Sequence, residues 1–147
     1  MKMLPLILRC AVGLLFLYAG GVKITDTQQF AYAIQNYRLL PWTASIVLAV
    51  YLPWLEVVCA LALISGRLYL GALAALAGMT VMFMGALGSA WARGLDVACG
   101  CFGLESNSTN YPLHLGGNAL VLAALAYLAF AQRRPALTSE RAATIPL

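Results

Sequence analysis

Apolar residues run along this chain in four blocks, about 4–24, 42–64, 68–91 and 113–131, separated by short polar connections. Each block is close to the ~20 residues that carry a helix across the hydrocarbon core of a bilayer. Alternation of apolar and polar residues with period two, the mark of a barrel strand, is missing, which leaves helices as the spanning structure. The pattern predicts an all-α integral membrane four-helix bundle over residues 1–132, followed by a polar tail without regular structure over 133–147. No repeat and no low-complexity linker divides the chain. The first block also fits a cleavable signal peptide, because Lys2 precedes an apolar run ending in Ala19-Gly20-Gly21. Arg9 inside the run and Lys23 close behind it favour an uncut span, since a signal peptide keeps its central region uncharged.

The periodicity changes between the first two blocks. Phe30, Ala33, Ile34 and Tyr37 recur at helical spacing, Asp26 stands where a helix cap belongs with Gln29 three residues on, and Pro41 marks a stop. These residues predict a short helix lying flat in the membrane interface, as an inert connector or as a lid. In the third block Gly71, Ala75, Gly78, Gly85 and Ser89 follow one ridge, and small residues of that kind predict close helix packing.

Composition agrees with a lipid environment: 63% of residues are hydrophobic, 10% are charged, and the mean hydropathy is +0.85. A soluble domain carries about a quarter charged residues. The net charge of +4 is spread along the chain and makes no basic patch for nucleic acid. It bears on orientation instead. Lys2, Arg67, Arg133, Arg134 and Arg141 fall on one side, and Lys23, Arg38 and Arg93, offset by Asp26, Asp96 and Glu105, fall on the other. The positive-inside rule then predicts a multi-pass protein with both termini cytoplasmic and the connection between the third and fourth spans outside. In a bacterium that places the chain in the inner membrane and the connection in the periplasm, where disulfides persist.

That connection holds Cys99-Gly100-Cys101-Phe102-Gly103. Two thiols separated by one glycine can close into a small, strained disulfide, and strain makes a disulfide a better oxidant. Gly100 permits the tight backbone, and nearby Arg93 favours the thiolate. Cys99 and Cys101 are therefore the candidate catalytic pair, as a redox-active disulfide exchanging with a periplasmic thiol protein or a thioredoxin-like partner. A zinc or copper site from Cys99, Cys101 and His114, with Asp96 or Glu105, is the main rival, although one Cys-x-Cys supplies only two thiolates. Inert cysteines are the third reading. Cys10 and Cys59 fall inside spans, where a thiol is a small hydrophobe.

Arg9 and Glu56 form a second constellation. Counted along oppositely running spans, both reach roughly 8–10 Å from the inner boundary, at ~1.5 Å per residue. Charges at that depth are costly alone and tolerable when paired. Such a pair is structural, or else handles protons or a quinone head group. Pro53, one turn before Glu56, removes a helix hydrogen bond there. His114 and Asn118 share a face at the outer end of the fourth span, placed to move protons or to polarise a quinone carbonyl. The bland alternative for these two is a solvated histidine and a packing asparagine.

The order of Arg9, Ala19-Gly20-Gly21-Val22-Lys23, Tyr37, Pro41, Pro53 with Glu56, and Cys99-Gly100-Cys101-Phe102-Gly103 resembles the DoxX-like superfamily of small four-helix membrane proteins. Within it the chain is similar to the MauE family, from Arg9 to about Ala131. The resemblance implies a redox-associated protein of the bacterial inner membrane, linked to maturation of methylamine dehydrogenase. It also implies an alternative, a non-catalytic assembly or quinone-linked subunit of a sulfur-oxidation or oxidative-stress complex. Whether the chain is itself an enzyme, as a quinone-coupled thiol oxidoreductase, is left open at this stage. Two positions depart from the family pattern. The acid before the first cysteine is Asp96, with Ala98 adjacent to the cysteine, and Gly117 stands before Asn118 where many relatives have arginine.

Overall fold

The computed structural model describes residues 3–95 and 110–143, and the side chains of the second segment through residue 131. Its elements are five helices: α1 (Met3–Thr25), α2 (Thr27–Asn36), α3 (Trp42–Ser65), α4 (Tyr69–Ala92) and α5 (Tyr111–Ala143). No strand occurs among the described residues. Four of the helices, α1, α3, α4 and the 111–131 part of α5, are long and apolar enough to cross a membrane. They match the four apolar blocks to within one or two residues at most ends. The fourth starts earlier than its apolar run, because Pro112 sits in the first turn of α5, where a missing N–H costs nothing. The backbone of α5 stays helical to Ala143, where the polar composition predicts a tail without regular structure.

Residues on the outside of the bundle are large and apolar: Ile7, Leu14, Tyr51, Trp54, Val58, Leu70, Leu120 and Phe130 are all exposed. An apolar surface of that extent suits lipid and not water. The core of one half of the bundle is built from Val12, Cys59, Leu63, Leu76, Leu125 and Leu128. Tyr32 against Trp42 and Trp91 stacked on Tyr111 gather at the other end, where α3 and α5 begin and α4 ends.

Two glycines of α1 decide its register against α3. A Cβ on Gly13 would lie 2.4 Å from Ile64 Cγ1, and one on Gly20 would lie 2.9 Å from Val57 Cγ2 and 3.0 Å from the Pro53 carbonyl oxygen. Gly20 thus faces residues 53–57 of α3 and Gly13 faces residues 60–64. Continued along the pair, this register ends α1 opposite about residue 50, leaving roughly the first third of α3 uncovered. That uncovered part of α3 is taken by α2, whose Phe30, Ala31 and Ala33 pack with Ala49. Of the α4 ridge, Ala75 packs against the core, but its glycines do not make the close contacts that small residues predict. Gly71, Gly78 and Gly85 are exposed, and a Cβ at any of them would meet nothing within 4 Å. Close approach is made by α1, because Gly13 and Gly20 face a neighbouring helix whereas Gly71, Gly78 and Gly85 face outward.

The short helix forms as its sequence predicts. Asp26 is the cap residue, its Oδ1 accepting from the Gln29 backbone N–H at 3.0 Å. Phe30, Ala33 and Tyr37 are buried, with Ile34 packed beside them. At the far end of α2, Arg93 Nη2 donates to the Tyr37 carbonyl at 2.6 Å, which ties the end of α4 to the end of α2.

Candidate functional site

Helical side chains tilt toward the N-terminus of their own helix. In an antiparallel pair, a residue near the end of one helix therefore leans back toward a residue deep in the other, which leans outward to meet it. Lys23, in the last turn of α1, and Glu56, in the body of α3, are such a pair. Lys23 Nζ lies 2.7 Å from Glu56 Oε1 and 2.8 Å from Oε2, with both side chains at most 10% exposed. Phe30 of α2 closes over the ammonium, its ring centroid 5.2 Å from Nζ, an arrangement favoured by the negative face of the ring.

This pair forms one wall of a cavity of about 420 Å³. His114 and Asn118 of α5 line another wall, and Thr80 contributes from α4. The Thr80 hydroxyl is already used, donating to the Leu76 carbonyl at 2.8 Å. The rest of the lining is apolar, with Phe16, Leu52, Met79, Phe83 and Val121 prominent. Glu56, His114 and Asn118, three residues singled out from sequence, are thus brought together around one space. Its volume is in the range of small-molecule sites, and its mixture of apolar walls with a few polar groups is what such sites use.

Arg9 is placed elsewhere. Its Nη2 donates to the Ile64 carbonyl at 3.1 Å, and its guanidinium covers Gly66, the left-handed cap of α3 at φ 76°. A cation there satisfies a terminal carbonyl and complements the negative end of the helix dipole. The expected pairing of Arg9 with Glu56 is therefore corrected: the partner of Glu56 is Lys23. Depth counting set both spans to start at one plane, whereas the glycine register shifts α1 along α3. Arg9 and Gly20, which faces Glu56, are eleven residues apart, roughly 16 Å at ~1.5 Å per residue.

Lys23 is the residue that sequence reasoning missed, having been counted as a charge in an outer connection. A signal was present. Asp26 and Gln29 begin a new helix almost at once, so there is no loop for Lys23 to occupy.

Cys99, Cys101, Asp96 and Glu105 lie outside the described residues. The ends of their connection are described. Tyr111 Oη donates to the Leu95 carbonyl, and both residues pack with Tyr37, Leu87 and Ala90 in a cluster that includes Phe83, itself part of the cavity wall. Cys10 and Cys59 are free thiols, Cys59 buried in the core. Among the described residues, no group of three or more His, Cys, Asp or Glu is placed to hold a metal ion.

A family model described as methylamine utilisation protein MauE matches residues 1–131. The chain belongs to the MauE family. The methylamine utilization protein MauE of Paracoccus denitrificans is 36% identical to it over 132 residues, which is 88% of this chain and 69% of that protein. That of Methylophilus methylotrophus is 33% identical over 91 residues, 61% of this chain and 48% of the relative. Both relatives extend beyond the part that is matched, and the chain spans about half of the second. No solved structure matches. Within the MauE family match lie both members of the buried pair, the cavity residues of α5 and the Cys-Gly-Cys segment.

Proposed function

We propose that this MauE-family protein acts in the bacterial inner membrane as a thiol oxidant for a periplasmic partner, through Cys99 and Cys101. The partner is a disulfide-bearing protein of methylamine utilisation, such as the small subunit of methylamine dehydrogenase, or a thioredoxin-like carrier serving it. One partner thiolate attacks the Cys99–Cys101 disulfide, giving a mixed disulfide and one free cysteine thiolate. The second partner thiolate then attacks the partner's own sulfur in the mixed disulfide and expels the bonded cysteine as a thiolate, so the partner leaves oxidised and Cys99 and Cys101 are left as two thiols. A quinone restores the disulfide by taking up the two electrons and two protons and leaving as quinol. The proposed orientation keeps both termini cytoplasmic and the cysteines periplasmic, and the same reading sets the chain within the DoxX-like superfamily.

The observation that carries this reading is the junction between Leu95 and Tyr111. It fixes both ends of the cysteine-bearing connection against the cluster that shares Phe83 with the cavity. The connection that carries the two cysteines thus begins and ends beside a wall of the cavity, which supports pairing the thiol chemistry with a lipid-soluble acceptor.

The test is trapping. Cys99→Ser and Cys101→Ser variants should insert normally, one of them should accumulate a mixed disulfide with a periplasmic protein, and the double variant should trap nothing. Equal trapping by the double variant rejects the proposal. Methylamine dehydrogenase maturation that survives loss of both cysteines replaces it with a non-catalytic assembly role.

A further inference from the structure

An ammonium has three N–H bonds to give. Glu56 takes two of those of Lys23, and the third has no N or O acceptor among the described residues, only the Phe30 ring with its centroid 5.2 Å from Nζ. Lys23 is nevertheless buried, and it borders the cavity. On α5, the side chains of His114 and Asn118 have no hydrogen-bond partner among the described residues, and each residue is half-buried. The cavity lining therefore holds unspent polar atoms on α1 and on α5 among otherwise apolar residues.

We infer that Lys23 is the polar contact of a binding site for a flat, uncharged, apolar molecule with hydrogen-bond acceptors at opposite edges, one on Lys23 and one on His114 or Asn118. The charge argument is direct. Lys23 and Glu56 together are neutral, so a charged ligand would bring an uncompensated charge into apolar walls, which is costly. A neutral carbonyl accepts from the spare N–H without disturbing the pair. Phe16 and Phe83 are among the lining residues, and aromatic side chains suit a planar ring. Access is from the side. Leu113 and Gly117 line the cavity and are also exposed on the bundle surface, so the space reaches the lipid-facing side at the start of α5. Quinones have this chemistry. The inference rests on the reading that a lipid-soluble acceptor visits the cavity, and it assigns the acceptor's main contact to a residue outside the expected set.

The experiment measures saturable binding of a short-chain benzoquinone and a naphthoquinone to the full chain in lipid nanodiscs, with empty nanodiscs subtracted. Dimethylnaphthalene serves as the control that lacks carbonyls. The wild-type protein should bind the quinones at least tenfold more tightly than the hydrocarbon. The Lys23→Met, Glu56→Leu double variant, which leaves no stranded charge, should lose that preference, and Lys23→Arg should keep part of it. Cys99→Ser with Cys101→Ser should bind like wild type, which separates this inference from the thiol reaction. Absence of saturable binding by the wild-type protein, or equal binding of quinone and hydrocarbon, overturns the inference without recourse to any variant. An unchanged preference in the double variant overturns the role of Lys23.

Discussion

Lys23 and Glu56 meet because α1 stops short of the first turns of α3, so that a lysine at the end of one span reaches a glutamate in the body of the next. Each charge makes the other tolerable in an apolar bundle, and neither is tolerable alone. Removing one member strands a buried charge, whereas replacing both by apolar groups of similar shape is close to neutral.

A double-mutant cycle expresses this difference. Lys23→Met or Glu56→Leu alone should destabilise the bundle by about 3–5 kcal/mol, and the double variant should recover most of the loss. Denaturation in mild detergent measures it. Single variants as stable as wild type would show that the pair is solvated in the working protein.

Gly66 ends α3 in the left-handed conformation, with its missing Cβ 3.1 Å from Arg9 Nη1. Gly66→Ala should cost about 1–2 kcal/mol from the backbone conformation alone. The crowding of Arg9 should add to this, and in an Arg9→Met background that addition should vanish. A loss of the same size in both backgrounds would remove Arg9 from the account.

The glycines of α1 and α4 should respond in opposite ways. Gly20→Val forces a side chain into Val57 and the Pro53 carbonyl and should destabilise by about 1–3 kcal/mol, as overpacking does. Gly78→Ala meets open space and should be neutral or stabilising by up to about 1 kcal/mol, through helix propensity. Thermal unfolding of the two variants side by side checks the contrast, and equal losses would contradict the α1–α3 register.

Asp26→Ala removes the cap of α2, an interaction worth about 1 kcal/mol. Because α2 holds Phe30 over Lys23, hydrogen exchange should speed up across 27–36 while α3 and α4 stay protected. Unchanged exchange in α2 would mean that its packing on Ala49, and not its cap, holds it in place.

The four spans and the short helix were legible because their signals are local. A block of apolar residues near twenty long, a cap at Asp26 and a proline at position 41 each act within a turn or two of themselves. The candidate site was legible in part. Glu56, His114 and Asn118 stand out because polar side chains are rare in such blocks, and all three border one cavity. Lys23 did not stand out, since a cation near a span end reads as a topology signal. The α4 ridge misled for a related reason: spacing finds a stripe of glycines but does not say which way the stripe faces.

Composition and local pattern were enough to determine a lipid-immersed helical protein, the places where its helices start and stop, and which polar residues must find partners. Choosing those partners was left to the tertiary structure. The partner of Glu56 follows from how far α1 slides along α3, and that offset is set by Gly13 and Gly20 docking against residues more than thirty positions away. Sequence spacing measures distance along one helix, whereas a pairing between helices depends on their relative register, which only packing supplies.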